Sequence, residues 1–207
     1  MAGAAHVPLG ELCRIVPGPS GSWLHGMTAD LDDGVPVITP PDITDQNTVD
    51  VQGIKRVGKD AADAMAARYR LAEGDIVLVR QAVTGLGRRA LVGPGEAGWL
   101  FATSCVRITA TSGRLLPEYL LHYLGDPTVR ASLDRLANPG QAVNTLTVTS
   151  LARLAVVLPD LASQRALAGA LDAIDEQLAC NAAQNRRLAQ LGQALLTEQL
   201  KDWRGEG

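Results

Sequence analysis

Aromatic residues are scarce in this 207-residue chain, at 3% with a single Phe, so its core has to be assembled from Ala, Leu and Val. Cysteine is equally sparse: Cys13, Cys105 and Cys180 are odd in number, far apart and in no C-x-x-C pair. That pattern excludes a disulfide framework and a zinc knuckle, and a reducing cytoplasm is the expected compartment. No apolar run approaches the roughly 18 residues of a membrane-spanning helix, and Met1 to Gly10 carries no basic stretch leading into an apolar one. Neither a membrane span nor a secretion signal is expected. An excess of positive charge is missing too, the net charge being -3, so any contact with nucleic acid must rest on a local patch. What is present, 46% hydrophobic and 20% charged residues, is ordinary for a globular protein of one domain, or one domain with an extension.

Turns crowd the first half of the chain: Pro17-Gly18-Pro19, Asp32-Asp33-Gly34, Pro40-Pro41 and Gly93-Pro94-Gly95 separate short apolar runs. Strands are expected at Val35–Thr39, Ile76–Arg80, Arg89–Val92 and Leu100–Thr109, with one alanine-rich helix at Lys59–Arg70. From Leu116 the texture turns helical. Pro117 opens a helix that ends at Gly125, and Asp126-Pro127 opens another that runs to Asn138-Pro139-Gly140 with Val129, Leu133 and Leu136 on one face. A last strand, Leu154–Leu158, is stopped by Pro159.

Beyond Pro159 there is no proline, so Leu161 to about Trp203 is expected to form one helix of about 60 Å. Leu167, Leu171, Ile174, Leu178, Asn181, Asn185, Leu188 and Leu195 recur at alternating steps of four and three through most of it. This is coiled-coil phase, and asparagines on such a seam cost stability while penalising wrong registers. The expected fold class is therefore α+β: a mostly-β domain with short helices over residues 1–159, followed by one long coiled-coil-type helix over residues 160–207.

Several catalytic motifs are approached and missed. Gly53 to Lys59 fits G-x-x-x-x-G-K, but Asp60 stands where a P-loop needs a hydroxyl for magnesium, and a carboxylate there repels phosphate. Gly85-Leu86-Gly87-Arg88-Arg89-Ala90 mimics a dinucleotide fingerprint, yet Val92-Gly93-Pro94-Gly95 follows where a helix should. Gly18-Pro19-Ser20-Gly21-Ser22 is not a nucleophile elbow, and His6, His25 and His122 are scattered without a metal-binding spacing. No Asp/Glu-x-Lys nuclease element occurs, and Asn138-Pro139-Gly140 lacks the second proline and aromatic of an amino-methyltransferase motif. No catalytic residue, cofactor or metal is expected.

Charge is segregated along the chain instead. Residues 55 to 107 hold nine cations, Lys55, Arg56, Lys59, Arg68, Arg70, Arg80, Arg88, Arg89 and Arg107, against five acids, whereas residues 30 to 50 hold six aspartates and no Lys or Arg. Within the basic segment, Arg80-Gln81-Ala82-Val83-Thr84-Gly85 offers the side chains able to make bidentate contacts with guanine and adenine edges. Lys55, Arg56, Lys59, Arg80, Gln81, Thr84, Arg88 and Arg89 are thus the candidate DNA-binding residues.

The order of features resembles the specificity (S) subunit of type I restriction-modification systems. The matching residues are Val7-Pro8-Leu9-Gly10-Glu11-Leu12, Val35-Pro36-Val37-Ile38 with Asp42-Ile43, and Tyr69-Arg70-Leu71 leading into Gly74-Asp75-Ile76-Val77-Leu78-Val79-Arg80. Leu116-Pro117-Glu118-Tyr119-Leu120, Gly140-Gln141 before Leu151, and Val156-Val157-Leu158-Pro159-Asp160-Leu161 with Gln164 follow in order, then the long helix with Asp172, Ile174, Asn181, Asn185 and Leu188. The resemblance implies a target recognition domain for double-stranded DNA, and a long helix that packs against a second one while docking the methyltransferase (M) subunit. An S subunit ordinarily carries two such units in tandem. This chain carries one, so the resemblance implies a non-catalytic half-subunit in the cytoplasm, acting as a homodimer or with a second half. The competing expectations are a coiled-coil adaptor that binds protein and has no DNA role, and an enzyme with an unrecognised site.

Overall fold

The computed structural model describes residues 5–20, 26–28, 31, 33–137 and 143–204. The chain divides into two compact units, Met1–Ala168 and Gly169–Gly207. The first contains, in order, β1 (Ala5–Pro8), α1 (Leu9–Leu12), β2 (Cys13–Pro17), β3 (Val35–Ile38), β4 (Arg56–Val57), α2 (Lys59–Asp63), β5 (Ile76–Val79), β6 (Gln81–Ala82), β7 (Arg89–Leu91), β8 (Leu100–Phe101) and β9 (Cys105–Ala110). It continues with α3 (Pro117–Tyr123), α4 (Pro127–Leu136), β10 (Asn144–Thr145), α5 (Val148–Ala152) and β11 (Ala155–Leu158), and ends in the first turns of α6 (Leu161–Arg204). The expected α+β class, with one long terminal helix, is the class observed.

The central sheet has the order β2-β9-β5-β7 and is antiparallel throughout. Its middle strand, Ile76-Val77-Leu78-Val79, is buried at every position because both faces are covered. Ile76 and Leu78 join Val106 and Ile108 against Leu120, Leu124 and Leu133 of the helices, while Val77 and Val79 join Ala90, Cys105, Ile38 and Phe101 on the other side. The second face is closed by the sheet β4-β3-β8, in which β3 and β8 run parallel. Burial pushes the Cys105 thiol up to about 12, and does the same to Cys13, so both are packing residues rather than nucleophiles.

Two expectations are corrected. Leu100–Thr109 is two strands, because Cys105 N–H bonds back to Ala102 O (2.9 Å) in a turn that moves the chain from one sheet to the other. Lys59–Arg70 is broken after Asp63, and Ala67–Tyr69 forms only a 3-10 turn that delivers the Tyr69 ring to the edge of Phe101. Strands β1 and β2 were unmarked in the sequence. β1 pairs antiparallel with β11, tying the start of the chain to the strand before the long helix.

Caps and clasps fix the helical side. Asp126 accepts the Thr128 and Val129 N–H groups (2.8 and 3.2 Å) at the start of α4, a cap worth about 1 kcal/mol. Tyr119 donates its hydroxyl to Val157 O (2.7 Å) and Tyr123 donates to Ala155 O (2.9 Å), so the two tyrosines of α3 satisfy the backbone of β11 opposite its pairing with β1. Gln164, fully buried in the first turn of α6, accepts the Leu116 N–H (2.9 Å) and donates to Arg114 O (2.8 Å) and Pro159 O (2.9 Å).

The second unit is formed by the rest of α6, from Gly169 on. Ile174, Leu178, Leu188, Leu191, Leu195 and Leu196 are 53 to 64% exposed, and Asn181 and Asn185 are exposed as well. Among the described residues no helix is long and apolar enough to cross a membrane.

Candidate nucleic-acid interface

The antiparallel β5–β7 hairpin turns through Gly85 and Gly87, both in left-handed backbone conformations (φ +78° and +72°) that a side chain would strain. Each glycine is also a seat for a guanidinium. A Cβ at Gly85 would lie 3.0 Å from Arg88 Nε, and one at Gly87 would lie 2.7 Å from Arg130 Nη1. The near-match to a dinucleotide fingerprint is thus explained by turn geometry and by two arginines lying over bare backbone.

A second loop meets this hairpin. Residues 44–48 are closed by Thr44 N–H to Thr48 O (2.9 Å) and by the Thr44 hydroxyl oxygen accepting from the Gln46 and Thr48 N–H groups (3.2 and 3.3 Å). Asn47 takes φ +61° at the turn, a conformation asparagine tolerates better than most residues. The closed loop presents Asp45, whose carboxylate lies 3.1 Å from Arg88 Nε.

The structure divides the cations that the sequence grouped. Arg80 is spent on backbone, its Nε donating to Thr103 O (3.1 Å) and its Nη1 to Leu146 O (3.3 Å). Arg89 turns toward α3 and donates to Leu121 O. Arg56 donates to Gly34 O (3.0 Å), Lys59 lies 3.7 Å from Asp33, and Arg70 pairs with Asp63 at 2.8 Å. Arg68 stacks over the Tyr69 ring, 4.8 Å from its centroid. Arg107 is buried beside Asp75 (3.7 Å), and its burial lowers the guanidinium pKa from the ordinary arginine range against the opposing pull of that carboxylate. The segregation of charge along the sequence is therefore partly offset in space, because Asp33 and Asp45 of the acidic segment fold onto Lys59 and Arg88.

Lys55 stays exposed with no ion pair among the described residues, Thr84 is exposed, and Gln81 is half-buried in β6 opposite Thr145. Lys55, Arg56 and Lys59 belong to the β4 edge and its following helix, while Gln81, Thr84 and Arg88 belong to the hairpin; these are separate elements. Arg130 went unremarked in the sequence, since a lone arginine on the polar side of a helix carries no local signal; only the fold places it on Gly87. Among the described residues no cluster of metal-binding side chains exists. His25, and Gly140-Gln141 of the S-subunit resemblance, lie outside the described residues.

No protein-family model and no curated protein matches the sequence. Solved structures do. A chain from a structure of the complex assembly and conformational transition of the type I restriction-modification system superposes with a TM-score of 0.63 at 19% identity, over 87% of this chain and 40% of that one. The HsdS subunit from Thermoanaerobacter tengcongensis gives 0.61 at 20% identity, over 86% and 43%. The S subunit of a type I restriction-modification system from M. genitalium gives 0.58 at 14%, over 86% and 41%. The chain thus has the fold of type I S subunits, as its order of motifs implies, and spans about two-fifths of the length of those proteins.

Proposed function

We propose that this chain is a non-catalytic DNA-recognition subunit that directs an adenine DNA methyltransferase, with a restriction nuclease where one exists, to a bipartite site. The observation that carries this reading is that nearly nine-tenths of the chain superposes on about 40% of type I system chains: one recognition domain and one long helix of a protein that ordinarily holds two. The other half of such a site would be read by a second recognition domain with its own helix. A second copy of this chain is the simplest source, and the exposed apolar residues of the second unit are the surface it would cover. Two-fold symmetry would make the DNA target an inverted repeat with a fixed gap.

With a net charge of -3 and most arginines of the first unit engaged internally, the chain has little long-range attraction for a polyanion. The methyltransferase subunit is expected to supply that attraction. In capture of sheared genomic DNA at about 150 mM salt, the purified full-length chain should enrich no sequence alone and should enrich one bipartite sequence with the methyltransferase added. Tight specific capture by the chain alone would overturn the charge argument, and no enrichment with both subunits would overturn the function.

A further inference from the structure

Arg88 differs from the other arginines of the hairpin region in how its guanidinium is used. Arg80 donates to carbonyl oxygens through Nε and Nη1 and Arg89 donates to Leu121 O, whereas Arg88 donates to no carbonyl: its one polar contact is the ion pair with Asp45, and its two Nη groups have no hydrogen-bond partner among the described residues. Its side chain is positioned by two contacts: it lies over the bare backbone of Gly85, and it is ion-paired, Nε at 3.1 Å, with a carboxylate on a loop closed by Thr44 and Thr48. Ion pairs this exposed contribute little to stability. What the pair does achieve is position: with the carboxylate on the Nε side of the guanidinium, Nη1 and Nη2 are left for another partner.

The partner also decides what the fork can bind. A phosphate brought to Arg88 would meet the Asp45 carboxylate a few ångströms away and be repelled, whereas a neutral base edge would not. The edge that accepts two parallel N–H donors in the major groove is that of guanine, through O6 and N7. We propose that Arg88, positioned by Asp45, reads a guanine in each half of the DNA target, and that Asp45 keeps it from serving as a general phosphate contact. This rests on the DNA-recognition reading above.

The test is the pattern of methylated bases in a strain lacking the gene and complemented with the full-length wild type, R88A, R88K or D45N. The wild type should restore one motif containing guanine. R88A and R88K should both relax that motif at one guanine position per half-site, with discrimination there falling about tenfold or more and other positions unchanged. Lysine keeps the charge and the stem over Gly85, so R88K carries the test if R88A fails to fold. D45N should relax the same position partly and raise methylation at unrelated sites, as the released guanidinium turns to phosphates. An even fall in methylation with the motif intact would make Arg88 a phosphate contact and overturn the proposal, as would unchanged methylation in R88A and R88K. Absence of any motif in the wild-type strain would instead bring down the DNA-recognition reading itself, before any substitution is considered.

Discussion

Replacing Gln164 with leucine is expected to destabilise the first unit by about 2 to 4 kcal/mol, since leucine fills the space of this fully buried side chain but removes the partner of three backbone groups, at roughly 0.5 to 1.5 kcal/mol each. Those groups are the Leu116 N–H at the start of α3, Arg114 O before it, and Pro159 O before α6. The loss would be a large share of the 5 to 15 kcal/mol typical of a folded domain. Gln164→Glu should be no better: its carboxylate can still accept from Leu116 N–H, but it repels both carbonyls and buries a charge. Denaturant titration should show a lower midpoint with an unchanged slope. A loss below about 1 kcal/mol would mean that water reaches these groups and that the clasp does not hold the two helix starts together.

Charged substitutions at Leu171 and Leu178 are expected to convert a dimer into monomers. Leu167, Ile174, Asn181, Leu188 and Leu195 fall seven apart, with Leu171, Leu178 and Asn185 interleaved, which is the heptad seam of a coiled coil. An antiparallel register that sets Asn181 against the partner's Asn185 also sets Leu178 against the partner's Leu188 and Leu171 against the partner's Leu195. A shift of one heptad either way would bury asparagine against leucine. Each pair therefore carries four of the substituted leucines, and at about 2 kcal/mol per buried leucine the dissociation constant should rise by more than a thousandfold. Sedimentation at tens of micromolar should give a dimer for the wild type and a monomer for L171E/L178E, with the first unit still folded. A monomeric wild type would point to a different chain as the second half.

The parts of the fold that were legible in the sequence are those with a strong period or a hard stop. Ile76–Val79, the Pro117 and Pro127 helix starts, and the proline-free stretch from Leu161 all carried such signals. The break between Leu100–Phe101 and Cys105–Ala110 was hidden because Ala102-Thr103-Ser104 is compatible with a strand; the departure of the chain to a second sheet is a tertiary decision. Lys59–Arg70 had the composition of a helix, but the chain leaves it after Asp63 and reaches Phe101 with the Tyr69 ring at the end of a 3-10 turn. The site was less legible for the same reason. Sequence shows that Arg80, Arg88 and Arg89 share one short basic segment, and only the fold shows that two of them serve the backbone while the third faces Asp45. Gln164 was visible as part of a motif, but its role as a three-way clasp required the positions of Arg114 and Leu116.

Whether this chain directs DNA methylation is tested most directly by sequencing methylated adenines in the genome with and without its gene. Deletion is expected to remove methylation at one bipartite motif whose two halves are an inverted repeat, and to leave every other methylated motif in place. An identical methylation pattern in the two strains would contradict it.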